Sequence, residues 1–162
     1  TAQLGAALWA LPPAEPVRSW GKADQPAGFW QRRMAHETAV HRWDAQLAHG
    51  SSEPVDADLA SDGIDENFEV MLPSRRRWAE HPRQGSGETY HFHRTDGPGE
   101  WLARFTPEGP VVTLEHAKGD VAVRGTASDL FLVLWQRLPA DRLQVSGDPD
   151  LLPRYFELAP PD

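Results

Sequence analysis

The apolar positions of this chain follow a helical period up to about residue 80 and a strand period from residue 88 to about 124. Leu4, Leu8 and Leu11, with Ala7 and Trp9 among them, predict a first helix that Pro12 and Pro13 stop. A loop with Pro16, Gly21 and Pro26 follows. Asp24 or Gln25 is placed to open a second helix, with Pro26 in its first turn, and Gly50 is placed to end it after His49. Phe29, Trp30, Met34, Val40, Trp43 and Leu47 are its candidate buried side. A third helix is predicted over residues 56–79, with Leu59, Ile64, Phe68, Met71 and Leu72 as core candidates. The polar, Gly- and Pro-rich stretch 81–87 reads as a linker. Beyond it, strands are expected at 89–94, 101–105, 111–115 and 121–124, with turn residues between them. A helix over 126–136 follows, capped by Thr126 or Ser128 with Asp129 in its first turn. A short strand at 143–145 and a short helix at 149–155 end the pattern. The expected class is α+β in two domains: a helical domain over residues 1–80, and an α/β domain of sheet plus helices over residues 88–162.

The densest chemistry lies in the second helix. Residues 30–44 contain Arg32, Arg33, His36, Glu37, His41, Arg42 and Asp44. Arg33, Glu37, His41 and Asp44 are spaced four, four and three apart, so they share one helical face. A carboxylate and an imidazole stacked in this way suit two ligands of one divalent metal, with Asp44 or Arg33 fixing their orientation. The same spacing also describes a row of solvated i,i+4 ion pairs such as Arg33–Glu37, and spacing alone leaves both readings open. His36 is turned away from the row. A catalytic zinc site takes three protein ligands and this helix offers two.

Other candidates are weaker. His91 and His93 alternate along a predicted strand and face one side, which makes them a second ligand pair or, as the spacing favours, a half-buried strand face. Asp62-Gly-Ile-Asp-Glu66 is acidic but lacks the ligand ladder of a calcium loop; it reads as a helix start or a packing turn. The stretch 119–125 looks like a strand between turns rather than a phosphate cradle. Ser128 has no partnered histidine and no nucleophile turn. Arg75, Arg76 and Arg77 read as a solvated helix face.

Composition narrows the classes. The chain has 162 residues, 40% of them hydrophobic, and a net charge of −8 from 24 acidic and 16 basic side chains. Such an acidic balance argues against a nucleic-acid partner. With no cysteine there is no disulfide, no thiolate ligand and no cysteine nucleophile, which fits a cytoplasmic setting. The longest apolar run, residues 130–135, is of core length and predicts no membrane span. Thr1 stands where an initiator Met would, and the apolar pattern begins at once, so an upstream segment is expected.

Residues 29–44 and Leu59-Ala-Ser-Asp-Gly-Ile-Asp-Glu66 resemble the actinobacterial mycothiol-dependent maleylpyruvate isomerase family. Val123-Arg-Gly-Thr-Ala-Ser-Asp-Leu130, Leu134-Trp-Gln-Arg-Leu138 and Val145-Ser-Gly-Asp148 resemble that family's second domain. The resemblance covers nearly the whole chain from about residue 15. It implies a DinB-like metal-binding helical bundle, here lacking its first part, followed by a small sterol-carrier-like α/β domain. It implies Glu37 and His41 as ligands of a divalent metal of zinc type, with the family's early-helix histidine having no counterpart here. It also implies mycothiol as thiol co-substrate. In the family's reaction the thiol adds to an activated double bond, the resulting single bond rotates, and elimination gives the trans isomer. An arginine of the second domain is expected to hold the substrate's carboxylates, with Arg137 the first candidate and Arg124 the second. Trp30 and Trp43 are candidates for a pocket wall or, more simply, for the core. The partner is then a small carboxylated molecule, and a homo-oligomer or an upstream segment would complete the bundle. The rival expectation is a non-catalytic small-molecule binding or interaction protein that retains the fold.

Overall fold

A computed structural model describes residues 2–19, 24–74 and 83–160. The chain divides into two compact units, residues 1–52 and 53–162.

In the first unit, α1 (Ala2–Trp9) leads to a two-residue antiparallel pairing of β1 (Pro16–Val17) with β2 (Gln25–Pro26), and then to α2 (Ala27–Ala48). Neither Asp24 nor Gln25 caps α2. Its N-cap is Pro26, which makes no side-chain bond. Main-chain carbonyls of the preceding loop do the capping: Ala27 N–H donates to Glu15 O at 2.7 Å and Gly28 N–H to Pro13 O at 2.8 Å. Gln31 Nε2 donates to Leu8 O at 2.8 Å and so ties α2 to α1. The other end stops as expected. Gly50 takes the left-handed conformation (φ 72°) and donates to Leu47 O, while Ser51 N–H reaches back to Gln46 O. Those two bonds form a Schellman motif, which few residues but glycine can close cheaply. The buried stripe of α2 differs from the predicted one. It comprises Ala27, Arg33, His36, Ala39, Val40 and Trp43, whereas Leu47 is half exposed.

The second unit begins with α3 (Ala57–Glu66), whose N-cap Asp56 accepts from Asp58 and Leu59 N–H. The helix widens into a π turn (Asn67–Met71) and continues helically to residue 74. Ile64, Phe68, Met71 and Leu72 are buried, as their spacing predicted. The predicted end of this helix at 79, the arginines 75–77 and the first two linker residues lie outside the described residues.

Five strands follow: β3 (Thr89–Arg94), β4 (Glu100–Thr106), β5 (Gly109–Thr113), β6 (Val121–Gly125) and β7 (Gln144–Gly147). Their order in the sheet is β5-β4-β3-β6-β7, with β3 and β6 parallel and the other neighbours antiparallel. Helix α4 (Ala127–Leu134), capped by Thr126, and α5 (Leu151–Leu158) complete the α+β class.

Period-2 alternation gives the sheet two different faces. Tyr90, Phe92, Trp101, Ala103, Phe105, Val121 and Val123 face the helices and are almost fully buried. The Tyr155 ring of α5 packs edge-on against Tyr90, Phe92 and Phe105, and Phe68 packs on Phe92. Burial pushes the Tyr90 phenol up to about 12, so it stays a donor, to Leu151 O at 3.1 Å. The opposite face carries His91, His93, Glu100, Leu102 and Arg124.

The break between units falls at Ser52/Glu53, not at the expected 80–88. The expected boundary followed the change from helical to strand period, but α3 finds its packing partner in α4. Val55 N–H donates to Ser128 Oγ at 2.9 Å, and the Phe131 ring lies on the bare backbone of Gly63. Asp62-Gly-Ile-Asp-Glu66 is therefore the interior of a helix at a close crossing. Two carboxylates latch the sheet. Asp120 accepts from both Thr89 N–H (2.8 Å) and Thr89 Oγ1 (2.7 Å), and these bonds hold its carboxyl below the usual range. Burial pushes the Asp96 carboxyl up, but bonds from Arg94 (2.9 Å) and Ala127 N–H (3.0 Å) outweigh it and leave it lowered.

A Cβ at Gly63 would overlap the Phe131 ring at Cε2, and Phe131 is fully buried. Helix propensity favours Gly63→Ala by about 1 kcal/mol. Overpacking costs about 1–3 kcal/mol. The steric effect should win, and chemical denaturation should show Gly63→Ala destabilised, with the loss reduced in Gly63→Ala/Phe131→Leu. The latches set an acid limit. A carboxylate whose folded pKa is depressed contributes stability that is complete above its unfolded value, about 4, and is lost as pH falls through the lower folded value. Denaturation midpoints should therefore fall as pH drops below about 4, and Asp96→Asn or Asp120→Asn should make that fall shallower.

Candidate functional site

On α2 the predicted row comes together. The buried Arg33 guanidinium donates to Glu37 Oε1 through Nε at 3.1 Å and also through Nη2. Glu37 Oε2 lies 3.3 Å from His41 Nε2, and His41 Nδ1 lies 3.1 Å from Asp44 Oδ2. Arg33 thus orients the carboxylate by one oxygen and leaves the other beside the imidazole. Each imidazole nitrogen faces a carboxylate; donation from Nδ1–H to Asp44 would leave the Nε2 lone pair on the Glu37 side, the carboxylate–imidazole relay found behind metal-bound histidines. The Glu37 oxygen and the His41 nitrogen then converge on one point at an exposed edge: His41 is 63% exposed. The donor chemistry fits a divalent ion of zinc type. Asp44 engages the far nitrogen, so it cannot be a third ligand of the same ion. Among the described residues no third donor joins Glu37 and His41. His36 is fully buried, and Trp43 belongs to the buried stripe of α2. Trp30 donates Nε1–H to Arg18 O at 2.9 Å.

The two candidate arginines sit on separate elements of the second unit. Arg137 follows α4 in a turn where Gln136 has φ 54°, and its Nη1 donates to Trp135 O at 2.9 Å. It lines an open cleft of about 570 Å³ together with Leu138, Pro153 and Phe156. Arg124 lies on β6 as the register partner of His93, on the sheet face away from the helices. Ser128 serves as acceptor for Val55 N–H, a structural task.

A second group is assembled on that same sheet face. His91 Nε2 lies 2.8 Å from Glu100 Oε2, His93 Nδ1 lies 3.0 Å from Glu100 Oε1, and His116 Nδ1 lies 2.6 Å from Glu100 Oε2. Among the described residues these four are the one set of three or more potential metal ligands whose donor atoms all lie within 4.8 Å of one another. Partial burial pushes the Glu100 carboxyl up, yet bonds from His116 and His91 outweigh this and keep it below the usual range. The sequence reading favoured a plain strand face for His91 and His93. The missing signal was the hairpin register: the turn at Asp96-Gly-Pro-Gly99 puts Glu100 directly opposite His93 and diagonal to His91. His116 comes from the β5–β6 connection, which no periodicity reveals.

Residues 1–46 match the mycothiol maleylpyruvate isomerase N-terminal domain, and residues 58–154 match the MDMPI C-terminal domain. The chain belongs to the mycothiol maleylpyruvate isomerase family. The packing break at Ser52/Glu53 falls between the two matched stretches. No curated protein matches the chain. Among solved structures it is similar to sterol carrier protein-2 of Aedes aegypti in complex with the C16 fatty acid palmitate (20% identity, 61% of this chain and 92% of that one, TM-score 0.44). It is also similar to sterol carrier protein 2 like 2 of the same organism (18% identity, 59% and 95%, TM-score 0.41). A third is a double mutant of the sec-alkyl sulfatase PisA1 (16% identity, 63% of this chain, TM-score 0.41), of which the chain spans 15%. No helix among the described residues is long and apolar enough to cross a membrane.

Proposed function

We propose that this protein is a metal-dependent, mycothiol-dependent enzyme of maleylpyruvate isomerase type, a thiol transferase or isomerase acting on a small carboxylated substrate. The observation that carries this reading is the convergence of Glu37 Oε2 and His41 Nε2 at 3.3 Å, with Asp44 on the far imidazole nitrogen. Glu37 and His41 would hold the ion, and a bound zinc-type ion acts as Lewis acid and lowers the pKa of a thiol. The thiol itself comes from mycothiol, since this chain has no cysteine. Arg33 keeps one Glu37 oxygen occupied so that the other is presented to the ion. Asp44 keeps the His41 lone pair on Nε2. Arg137, in its cleft, would pair its planar fork with the substrate's carboxylates, and Arg124 is the alternative. A third metal donor would come from a second copy of the chain. A cysteine-free chain using a small-molecule thiol suits a cytoplasmic setting.

One observation favours a second reading. With two donors on α2 and a cleft beside Arg137, the fold equally supports a non-catalytic small-molecule binding or interaction protein. Thiol-dependent isomerisation of maleylpyruvate by the purified, zinc-supplied chain separates the two: turnover supports the enzyme, and its absence with zinc still bound supports the binder. Glu37→Ala and His41→Ala should each abolish turnover and remove one zinc equivalent, read by elemental analysis. Asp44→Ala should weaken zinc binding about 10–100-fold while leaving the circular dichroism unchanged. Arg137→Lys keeps the charge but loses the bidentate pairing, and should raise KM for the carboxylated substrate about tenfold or more with little change in metal content.

A further inference from the structure

We infer that the outer face of the five-stranded sheet is a second divalent-metal site, with His91, His93, Glu100 and His116 as its four ligands and zinc, or a borderline neighbour such as cobalt or nickel, as its ion. The inference is independent of the α2 reading: it concerns other residues in the other unit of the chain.

Donor chemistry selects the ion. Three imidazoles and one carboxylate suit zinc and its neighbours, whereas calcium and magnesium take oxygen ligands. Distance supports a single ion. A tetrahedral ion with bonds of about 2.0–2.1 Å separates its donors by about 3.3 Å. The three nitrogens here stand 2.6, 2.8 and 3.0 Å from Glu100 oxygens, and no two donor atoms in the set are more than 4.8 Å apart. Movements of a few tenths of an ångström to about one and a half would bring the set to that spacing, within the reach of side-chain torsions. Each nitrogen now facing Glu100 becomes a lone pair aimed at the same space once its ring proton moves to the other nitrogen.

The fold supplies the rigidity. His91 and His93 share one face of the central strand, and Glu100 is fixed opposite by the hairpin register. His91 is buried, and its ring packs edge-on against His116 at 5.4 Å and against His93 at 6.1 Å. His116 is 80% exposed and sits on the connection between β5 and β6. Four protein ligands close a tetrahedral shell, so the ion would act as a clamp rather than as a reaction centre. It would pin that connection onto the β3–β4 hairpin.

The test uses the whole chain, stripped of metal and titrated with cobalt(II), whose visible absorption intensifies in four-coordinate sites. His93 and His116 are more exposed than His91, so the His93→Ala/His116→Ala variant opens no core cavity; its circular dichroism serves as the folding control. The expected result has two parts. The Glu37→Ala/His41→Ala variant retains one cobalt equivalent with four-coordinate bands. The His93→Ala/His116→Ala variant loses that equivalent and those bands, and zinc no longer raises its Tm by the several degrees seen in the parent. Equal cobalt stoichiometry and spectra in parent and His93→Ala/His116→Ala would overturn the inference. So would the absence of cobalt from the Glu37→Ala/His41→Ala variant, or binding only above about 1 mM without those bands. Should Glu100→Gln bind cobalt as the parent does, the assignment of Glu100 as a ligand fails and the four-ligand site with it. Each double variant removes one site only, so failure here leaves the α2 reading standing.

Discussion

The register between β3 and β4 is the constraint on which most of the second unit rests. Pairing Phe92 with Trp101 and His93 with Glu100 turns Tyr90, Phe92, Trp101, Ala103 and Phe105 toward the helices. A slip of one residue would present His91 and His93 to that apolar layer and leave Tyr90 and Phe92 in water. Burying an aromatic side chain is worth about 1.5–3 kcal/mol, so several of them together make the slip prohibitive. The polar face is thus a consequence of the apolar one. Once the aromatic residues are buried, His91, His93 and Glu100 have no arrangement open to them except convergence on the outer side.

The first unit reaches its polar row by a different route. On α2 the helix itself sets the spacing, and tertiary packing only decides which part of the row is wet. Arg33 is buried and Glu37 half-buried, while His41 stands in solvent. The buried guanidinium needs a carboxylate partner, since a buried charge without one is costly. Glu37 meets that need with a single oxygen. A simple surface ion pair would leave both members exposed and contribute little. Here one end is anchored and the other end is presented, which is the arrangement a metal ligand requires.

How far the chain could be read before folding depends on the range of the interaction involved. The α2 stop at Gly50, the Thr126 cap, the four strands from residue 89 to 125 and the Arg33–Glu37–His41–Asp44 row are local, and local spacing encodes them. The start of α2 was misread because its caps are carbonyls of Pro13 and Glu15, and every residue offers a carbonyl. The domain boundary was misread for a related reason. Gly63 and Phe131 are 68 positions apart, and nothing in the period of either helix announces that one ring lies on the other's backbone. The His91–His93–Glu100–His116 set falls between these cases. Three of its members follow from a hairpin whose turn residues are visible, and the fourth depends on the path of a connection.

The two polar sets also differ in what each can do chemically. On α2, two donors and an orienting carboxylate leave most of an ion's coordination sphere for other groups, the condition a substrate or thiol needs to enter. On the sheet, four donors leave no open position, and the ligand on the β5–β6 connection is the most exposed of the four. An open shell favours exchange and chemistry; a closed shell favours retention and rigidity. A connection of seven residues between Thr113 and Val121 has little apolar anchorage of its own: Leu114 is 74% exposed. Tying it down by coordination therefore offers more stability than packing could supply there, because the ordering entropy of the connection is offset by a single strong contact rather than by many weak ones.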